Sequence, residues 1–255
     1  MEMKKYLIIL FILFSFTPSY SVGVRNVSFI SSILKYKVSS GGGGGGSGGL
    51  TSTLLNETFE GTGYSTTSPA WTESLGGGTV NEDYTTTVLD GSQSLRILTA
   101  SDASSFIYNT FTAGSERWFY FMIRPVSTPN SGDAKMLEIW NSSQSRIADV
   151  LLTSGGALKV RHGATSSSAT VGTMSDGTTY HVYIRYVAGS GANGVASVCF
   201  STDGSRPTSG NNFTSLSTGT GTANANWLAI GWVDFTGIME LIYDKIQVGD
   251  STSAP

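Results

Sequence analysis

The chain is expected to fold as an all-β, two-sheet antiparallel sandwich of the jelly-roll type. Three observations predict it. From Leu54 onward, apolar residues recur at every second position in short runs. No run of twelve residues shows a helical period, and the runs are separated by Gly, Ser, Thr, Asn and Asp. Glycine supplies 32 of 255 residues, against a usual share of about 7%, while charged residues make up only 13%. With 39% hydrophobic and 11% aromatic residues, the chain has enough apolar surface for a core.

At the amino end, Lys4 and Lys5 precede an apolar run from Tyr6 to Phe16, and Ser19-Tyr20-Ser21 follows with small residues where a signal peptidase reads. Residues 1–21 are therefore expected to be an export signal, which makes the protein secreted or displayed on an extracellular surface. The run is too short for a stable membrane span, which needs about 20 residues. Residues 22–40 form a short segment whose spacing fits a helical turn or a strand equally. Residues 41–49, Gly41 to Gly46 followed by Ser47, Gly48 and Gly49, are expected to be a flexible linker. One sandwich domain is expected over 50–250, with a short tail over 251–255.

The expected strands run Leu54 to Glu60, Ser94 to Thr99, Phe106 to Phe111, Arg117 to Val126, Ala134 to Asn141, Arg146 to Thr153, Ala157 to His162, Thr179 to Val187, Val195 to Ser201, Trp227 to Trp232 and Ile238 to Val248. About eleven strands in roughly 200 residues suit a two-sheet jelly roll. Three consecutive runs allow a register to be predicted. Placing the apolar faces Leu137/Ile139 and Ala148/Val150/Leu152 together sets Ile139 opposite Ala148, Glu138 opposite Asp149 and Trp140 opposite Ile147. Matching Leu152 with Leu158 and Val150 with Val160 sets Asp149 opposite Arg161. A row Glu138, Asp149, Arg161 results on the face away from the core, and a one-residue slip would bury these charges. In Thr179 to Val187 the core takes Tyr180, Val182, Ile184 and Tyr186, leaving His181, Tyr183 and Arg185 outside. In Arg117 to Arg124 it takes Phe119, Phe121 and Ile123, leaving Trp118, Tyr120, Met122 and Arg124. If all these strands share one sheet, its outer face is crowded with Trp, Tyr, Arg, Glu, Asp and His.

The opening Leu55-Asn56-Glu57-Thr58-Phe59-Glu60-Gly61-Thr62-Gly63-Tyr64 with Trp71 downstream, and the strands Gly91-Ser92-Gln93-Ser94-Leu95-Arg96-Ile97, Tyr180-His181-Val182-Tyr183-Ile184-Arg185-Tyr186 and Ile242-Tyr243-Asp244-Lys245-Ile246-Gln247-Val248, together resemble the concanavalin A-like lectin/glucanase superfamily, particularly its laminin-G-like modules. The resemblance covers about residues 54 to 250. It implies a curved jelly roll whose first and last strands pair and whose concave face often holds carbohydrate. Similar modules occur in exported bacterial proteins and phage structural proteins. The Glu-x-Asp-x-x-Glu strand of the glucanases is absent, since Glu138-Ile139-Trp140-Asn141-Ser142-Ser143 lacks both later acids. The Gln-Ile-His and Arg-x-Glu-x-Arg strands of the alginate-lyase type are absent too.

A ligand site is accordingly expected at Trp118, Tyr120, Glu138, Trp140, Asp149, Arg161, Tyr183 and Arg185. Aromatic rings stack on the apolar faces of sugars while charged neighbours hold the hydroxyls. The bland alternative is a second small core under a loop. As an enzyme, the chain would use Glu138 and Asp149 as a carboxylate pair, or His181 and Tyr183 as base and acid; otherwise Glu138, Asp149 and Arg161 form an ion-pair ladder and His181 is a surface histidine. Glu60 and Asp244, with Asn81-Glu82-Asp83 nearby in the chain, resemble the position where related modules hold a structural calcium ion; otherwise they are turn residues. A net charge of -3 and the lack of any Lys/Arg cluster argue against nucleic acid. Carbohydrate is the expected partner, with a surface or virion protein as the alternative. Cys199, the one cysteine, is expected to be a buried and unreactive thiol.

Overall fold

The computed structural model describes residues 48–64, 67–99, 104–163, 167–189, 193–205, 213–217, 223–231 and 237–254. The expected export signal, the segment 22–40, linker residues 41–47 and Trp232 lie outside these described residues. Every regular element among the described residues is a β-strand, and no helix there is long and apolar enough to cross a membrane.

Fifteen strands form the described fold: β1 (Leu55–Glu57), β2 (Thr72–Leu75), β3 (Thr79–Tyr84), β4 (Ser94–Thr99), β5 (Ser105–Gly114), β6 (Glu116–Ser127), β7 (Asp133–Trp140), β8 (Arg146–Thr153), β9 (Ala157–His162), β10 (Ser168–Thr173), β11 (Tyr180–Val187), β12 (Val195–Ser201), β13 (Thr214–Ser217), β14 (Ala225–Ile230) and β15 (Met239–Gly249). They build two antiparallel sheets. One has eight strands in the order β13-β12-β11-β6-β15-β4-β3, with β1 paired to β15, and the other has seven in the order β10-β9-β8-β7-β14-β5-β2. The first and last strands pair through Leu55↔Val248 and Glu57↔Ile246, as the resemblance implied.

Each of the eleven expected runs holds a strand, although the first is strand only over Leu55–Glu57 and the run from Trp227 is strand only to Ile230. The four strands that alternation misses, β2, β3, β10 and β13, are the outermost strands of the two sheets. An outermost strand has a neighbour on one side only and here carries mostly exposed or half-exposed Thr, Ser, Glu and Asn, so its apolar period is weak. The residues after 166 add β10 to the edge of the seven-stranded sheet beside β9 and do not lie across its face.

Between the sheets lies one core. It takes Phe119, Phe121 and Ile123 from β6, Val182, Ile184 and Tyr186 from β11, Leu137 and Ile139 from β7, Ala148, Val150 and Leu152 from β8, and Tyr243, Ile246 and Val248 from β15. The core faces predicted for β6, β7, β8 and β11 are those observed, except that Ile147, expected on the outer face opposite Trp140, belongs to the core. Cys199, on the outer side of β12, is 5% exposed, and burial pushes its thiol up to about 12. At pH 8 about one molecule in ten thousand would then carry the thiolate. Iodoacetamide should leave the folded protein unalkylated over hours and should label Cys199 fully in urea, with intact mass as the readout.

The strands β7 and β8 follow the predicted register through Glu138↔Asp149 and Ile139↔Ala148, and β8 meets β9 through Asp149↔Arg161, Val150↔Val160 and Leu152↔Leu158. One pair differs. Trp140 faces Arg146 instead of Ile147, because the register shifts at that point and leaves Ile147 as an extra residue. A second shift, between Lys135 and Leu137, makes Met136 the extra residue on β7. At each bulge two consecutive residues turn inward, Met136 with Leu137 and Ile147 with Ala148, and all four belong to the core.

Candidate functional site

The two bulges place the charges on the outer face of the seven-stranded sheet. In an uninterrupted strand, residues three apart point to opposite faces. The extra Met136 brings Lys135 and Glu138 to the same face, where Nζ lies 3.0 Å from Oε1. The extra Ile147 does the same for Arg146 and Asp149, with Nη1 3.2 Å from Oδ2. Arg161 reaches Asp149 from β9, its Nε donating to Oδ1 at 2.9 Å and to Oδ2 at 3.1 Å while Nη2 also engages Oδ2. That contact holds the Arg161 guanidinium above its ordinary range. Glu138 also accepts the Trp140 indole N–H at 2.7 Å. Both carboxylates are buried, at 3% and 1% exposure, and each is bound to a cation.

Aromatic rings flank this ladder. In the row that carries Glu138 and Asp149, the next partners are Ala229 on β14 and Tyr108 on β5. Ala229 is small, and four rings gather around it: Phe106 lies 6.1 Å from Trp140 edge-on, and Tyr108 lies 6.3 Å from Trp140 and 5.7 Å from Trp227. Phe106 and Trp140 are buried, whereas Tyr108 and Trp227 are half-exposed. A groove of about 470 Å³ opens beside them, lined by Ser74, Phe106, Tyr108, Lys135, Glu138, Trp140, Gln144 and Arg146. Sequence reasoning found Glu138, Trp140, Asp149 and Arg161 here. It missed Phe106 and Tyr108, whose alternation in β5 was visible, and Lys135 and Arg146, whose facing depends on bulges that leave no period.

The other expected site residues are not in this sheet. Trp118, Tyr120, His181, Tyr183 and Arg185 belong to β6 and β11 of the eight-stranded sheet, so the single crowded face expected from the sequence is two faces on opposite sides of the sandwich. Alternation reports which way a side chain points and carries no information about which sheet its strand joins. Trp118, Tyr120 and Tyr183 are buried with Leu50, Met122 and Cys199 as a second, smaller core. His181 accepts or donates at Nδ1 opposite the Tyr120 hydroxyl, 2.8 Å away, and burial, followed by the charge of Lys245, lowers its pKa. Arg185 lies over the Trp118 ring and pairs with Glu116 at 2.9 Å.

Glu60 and Asp244 both hold the turn before β4. Glu60 accepts the Ser92 N–H at 2.7 Å, the Ser92 hydroxyl at 2.6 Å and the Gln93 N–H at 3.3 Å. Burial raises its carboxyl, but these bonds outweigh that and leave it below its ordinary range. Asp244 accepts from the Asp90 N–H, the Ser94 hydroxyl and the Lys245 N–H, and burial nonetheless pushes its carboxyl up to about 7. Asp83 binds the Gly63 N–H instead. Among the described residues, no three His, Cys, Asp or Glu side chains gather in a metal-holding group.

No protein-family model matches the chain, and no curated protein does. Solved structures do share the fold. The endo-β-1,4-glucuronan lyase of the fungus Trichoderma reesei superposes with a TM-score of 0.56 at 13% identity, covering 78% of this chain and 96% of that one. The cellulose-induced protein Cip1 gives 0.57 at 13% identity, over 79% and 98%. The PL-14 alginate lyase of Aplysia kurodai gives 0.53 at 7% identity, over 78% and 100%. At these identities the likeness concerns the two-sheet jelly roll, which hosts more than one function.

Proposed function

We propose that the outer face of the seven-stranded sheet binds a carbohydrate chain without cleaving it, as the working surface of an exported or surface-displayed module. The observation that supports this most is the half-exposed Tyr108, with Trp227 5.7 Å away, on a groove also lined by Lys135, Glu138 and Arg146, whose charges are ordered by the Lys135–Glu138 and Arg146–Asp149 ion pairs. Ring faces offer stacking area to the C–H face of a sugar, and the ordered charged groups offer hydrogen bonds to its hydroxyls. The binding reading is favoured over a hydrolase because each carboxylate is committed to a cation and Glu138 also to an indole N–H. It is favoured over a lyase because His181, Tyr120 and Tyr183 lie beneath chain on the opposite face. The fold shared with two proteins named as polysaccharide lyases agrees with carbohydrate as the ligand class.

Tyr108→Ala and Trp227→Ala test the site. Both residues are half-exposed, so melting temperature should move by only a few degrees. Affinity for polysaccharides retained by the unaltered protein in pull-down or on a glycan array should fall about tenfold or more, the cost of one stacked ring. Arg185→Ala, on the other sheet, should bind as the unaltered chain does. Equal binding by both ring variants, or new reducing or unsaturated ends in product analysis, would overturn the proposal.

A further inference from the structure

On the eight-stranded sheet, one row of outer side chains crosses five strands: Cys199 on β12, Tyr183 on β11, Tyr120 on β6, Gln247 on β15 and Asn56 on β1 are successive partners. Gly48, Gly49 and Leu50 lie against this row. A methyl group at residue 48 would come within 2.5 Å of the Tyr120 hydroxyl and 2.7 Å of His181 Nδ1. Gly49 has φ of 138°, and a methyl group there would meet Gln247 Oε1 at 2.9 Å. Side chains are excluded at both positions by space, and at the second by backbone conformation as well.

The row also supplies matched acceptors. The Gly49 N–H donates to the Tyr183 hydroxyl at 3.1 Å, and the Leu50 N–H donates to Gln247 Oε1 at 2.8 Å. Gln247 is oriented for this because its Nε2 donates to Asn56 Oδ1 at 2.9 Å. Leu50, 7% exposed, fills the space among Trp118, Tyr120, Met122, Tyr183 and Cys199. These bonds are all to side chains. The first backbone-to-backbone bond of the stretch, among the described residues, is from Leu54 N–H to the Val248 carbonyl. Beneath, Tyr120 and His181 bond each other at 2.8 Å, so undocking residues 48–50 would leave that pair intact.

We propose that this row is a seat for a glycine-glycine-leucine backbone and that residues 48–50 are a reversible latch on it, fixing the point at which the glycine tract leaves the sandwich. When latched, the tract leaves from the middle of the outer face of the eight-stranded sheet. That face is opposite the Trp140 groove. When unlatched, the chain is released back to Thr51, whose hydroxyl, like that of Ser52, stays bonded to residues 252–254, and the tether gains about three residues, roughly 10 Å.

Amide hydrogen exchange on the full chain tests the latch. In the unaltered protein the Leu50 amide should be protected, yet should exchange faster than amides of β6 and β11, as a local opening requires. In Gly48→Val, and separately in Tyr183→Phe, its exchange should rise about tenfold while the β6 and β11 amides keep their rates. Tyr183→Phe keeps the ring and the small core, which guards against a folding defect in the glycine variant. Leu50 exchanging only at the rate of global unfolding, or no acceleration in either variant, would overturn the proposal. Exchange at Leu50 reads the latch and glycan binding by Tyr108→Ala reads the groove, so one can fail without the other.

Discussion

Asp149→Ala is expected to lower the free energy of unfolding by about 3–5 kcal/mol, the cost of removing one partner from a buried ion pair. The carboxylate is 1% exposed and holds two guanidinium groups, Arg161 through both of its oxygens and Arg146 at 3.2 Å. Without it, two cations face each other across β8 and β9 with most of their surface out of water. Asp149→Asn keeps the shape and should lie between the two. Asp149→Leu combined with Arg146→Met and Arg161→Met should recover most of the loss, because apolar groups of similar size need no counter-charge. Urea denaturation midpoints measure all three. A loss below about 1 kcal/mol for the alanine variant would mean that the cluster behaves as an exposed surface pair.

Trp140→Ala is expected to cost a comparable amount, about 3–5 kcal/mol, which is the range for truncating a large buried aromatic residue. Trp140 is 8% exposed, packs edge-on against Phe106, and donates its N–H to Glu138. The substitution therefore opens a cavity and also takes a donor from a carboxylate that is 3% exposed. Trp140→Phe separates these effects. It keeps a ring against Phe106 and should lose about 1–3 kcal/mol, from the orphaned carboxylate oxygen. Its glycan binding should stay within a few-fold of the unaltered protein, since Tyr108 and Trp227 present the accessible rings. If Trp140→Phe bound as weakly as Trp227→Ala while melting normally, Trp140 itself would be the stacking platform.

Much of this was legible in the sequence. Alternation found every interior strand, the closing pair β1–β15 followed from the resemblance, and the register of β7, β8 and β9 came from matching apolar faces. What was not legible has three physical sources. Outermost strands are paired on one side only, so β2, β3, β10 and β13 show little periodicity. Sheet membership is set by long-range pairing, so β6 and β11, with rings on their outer faces like those of β7 and β14, were read onto the wrong side of the sandwich. Glycine's missing side chain suggested a flexible spacer through Gly49, yet the same absence is what lets Gly48 and Gly49 sit on Tyr120 and Gln247.

The bulges at Met136 and Ile147 let two residues lie between Lys135 and Glu138 and between Arg146 and Asp149 while each charged pair keeps one face. A substitution at either bulge changes packing locally. Deleting Met136 or Ile147 would remove the bulge, and strict alternation over the three remaining residues would still keep the cation and its carboxylate on one face. Each bulge thus seats one additional side chain in the core between a cation and its carboxylate without changing the face on which the charged pair stands.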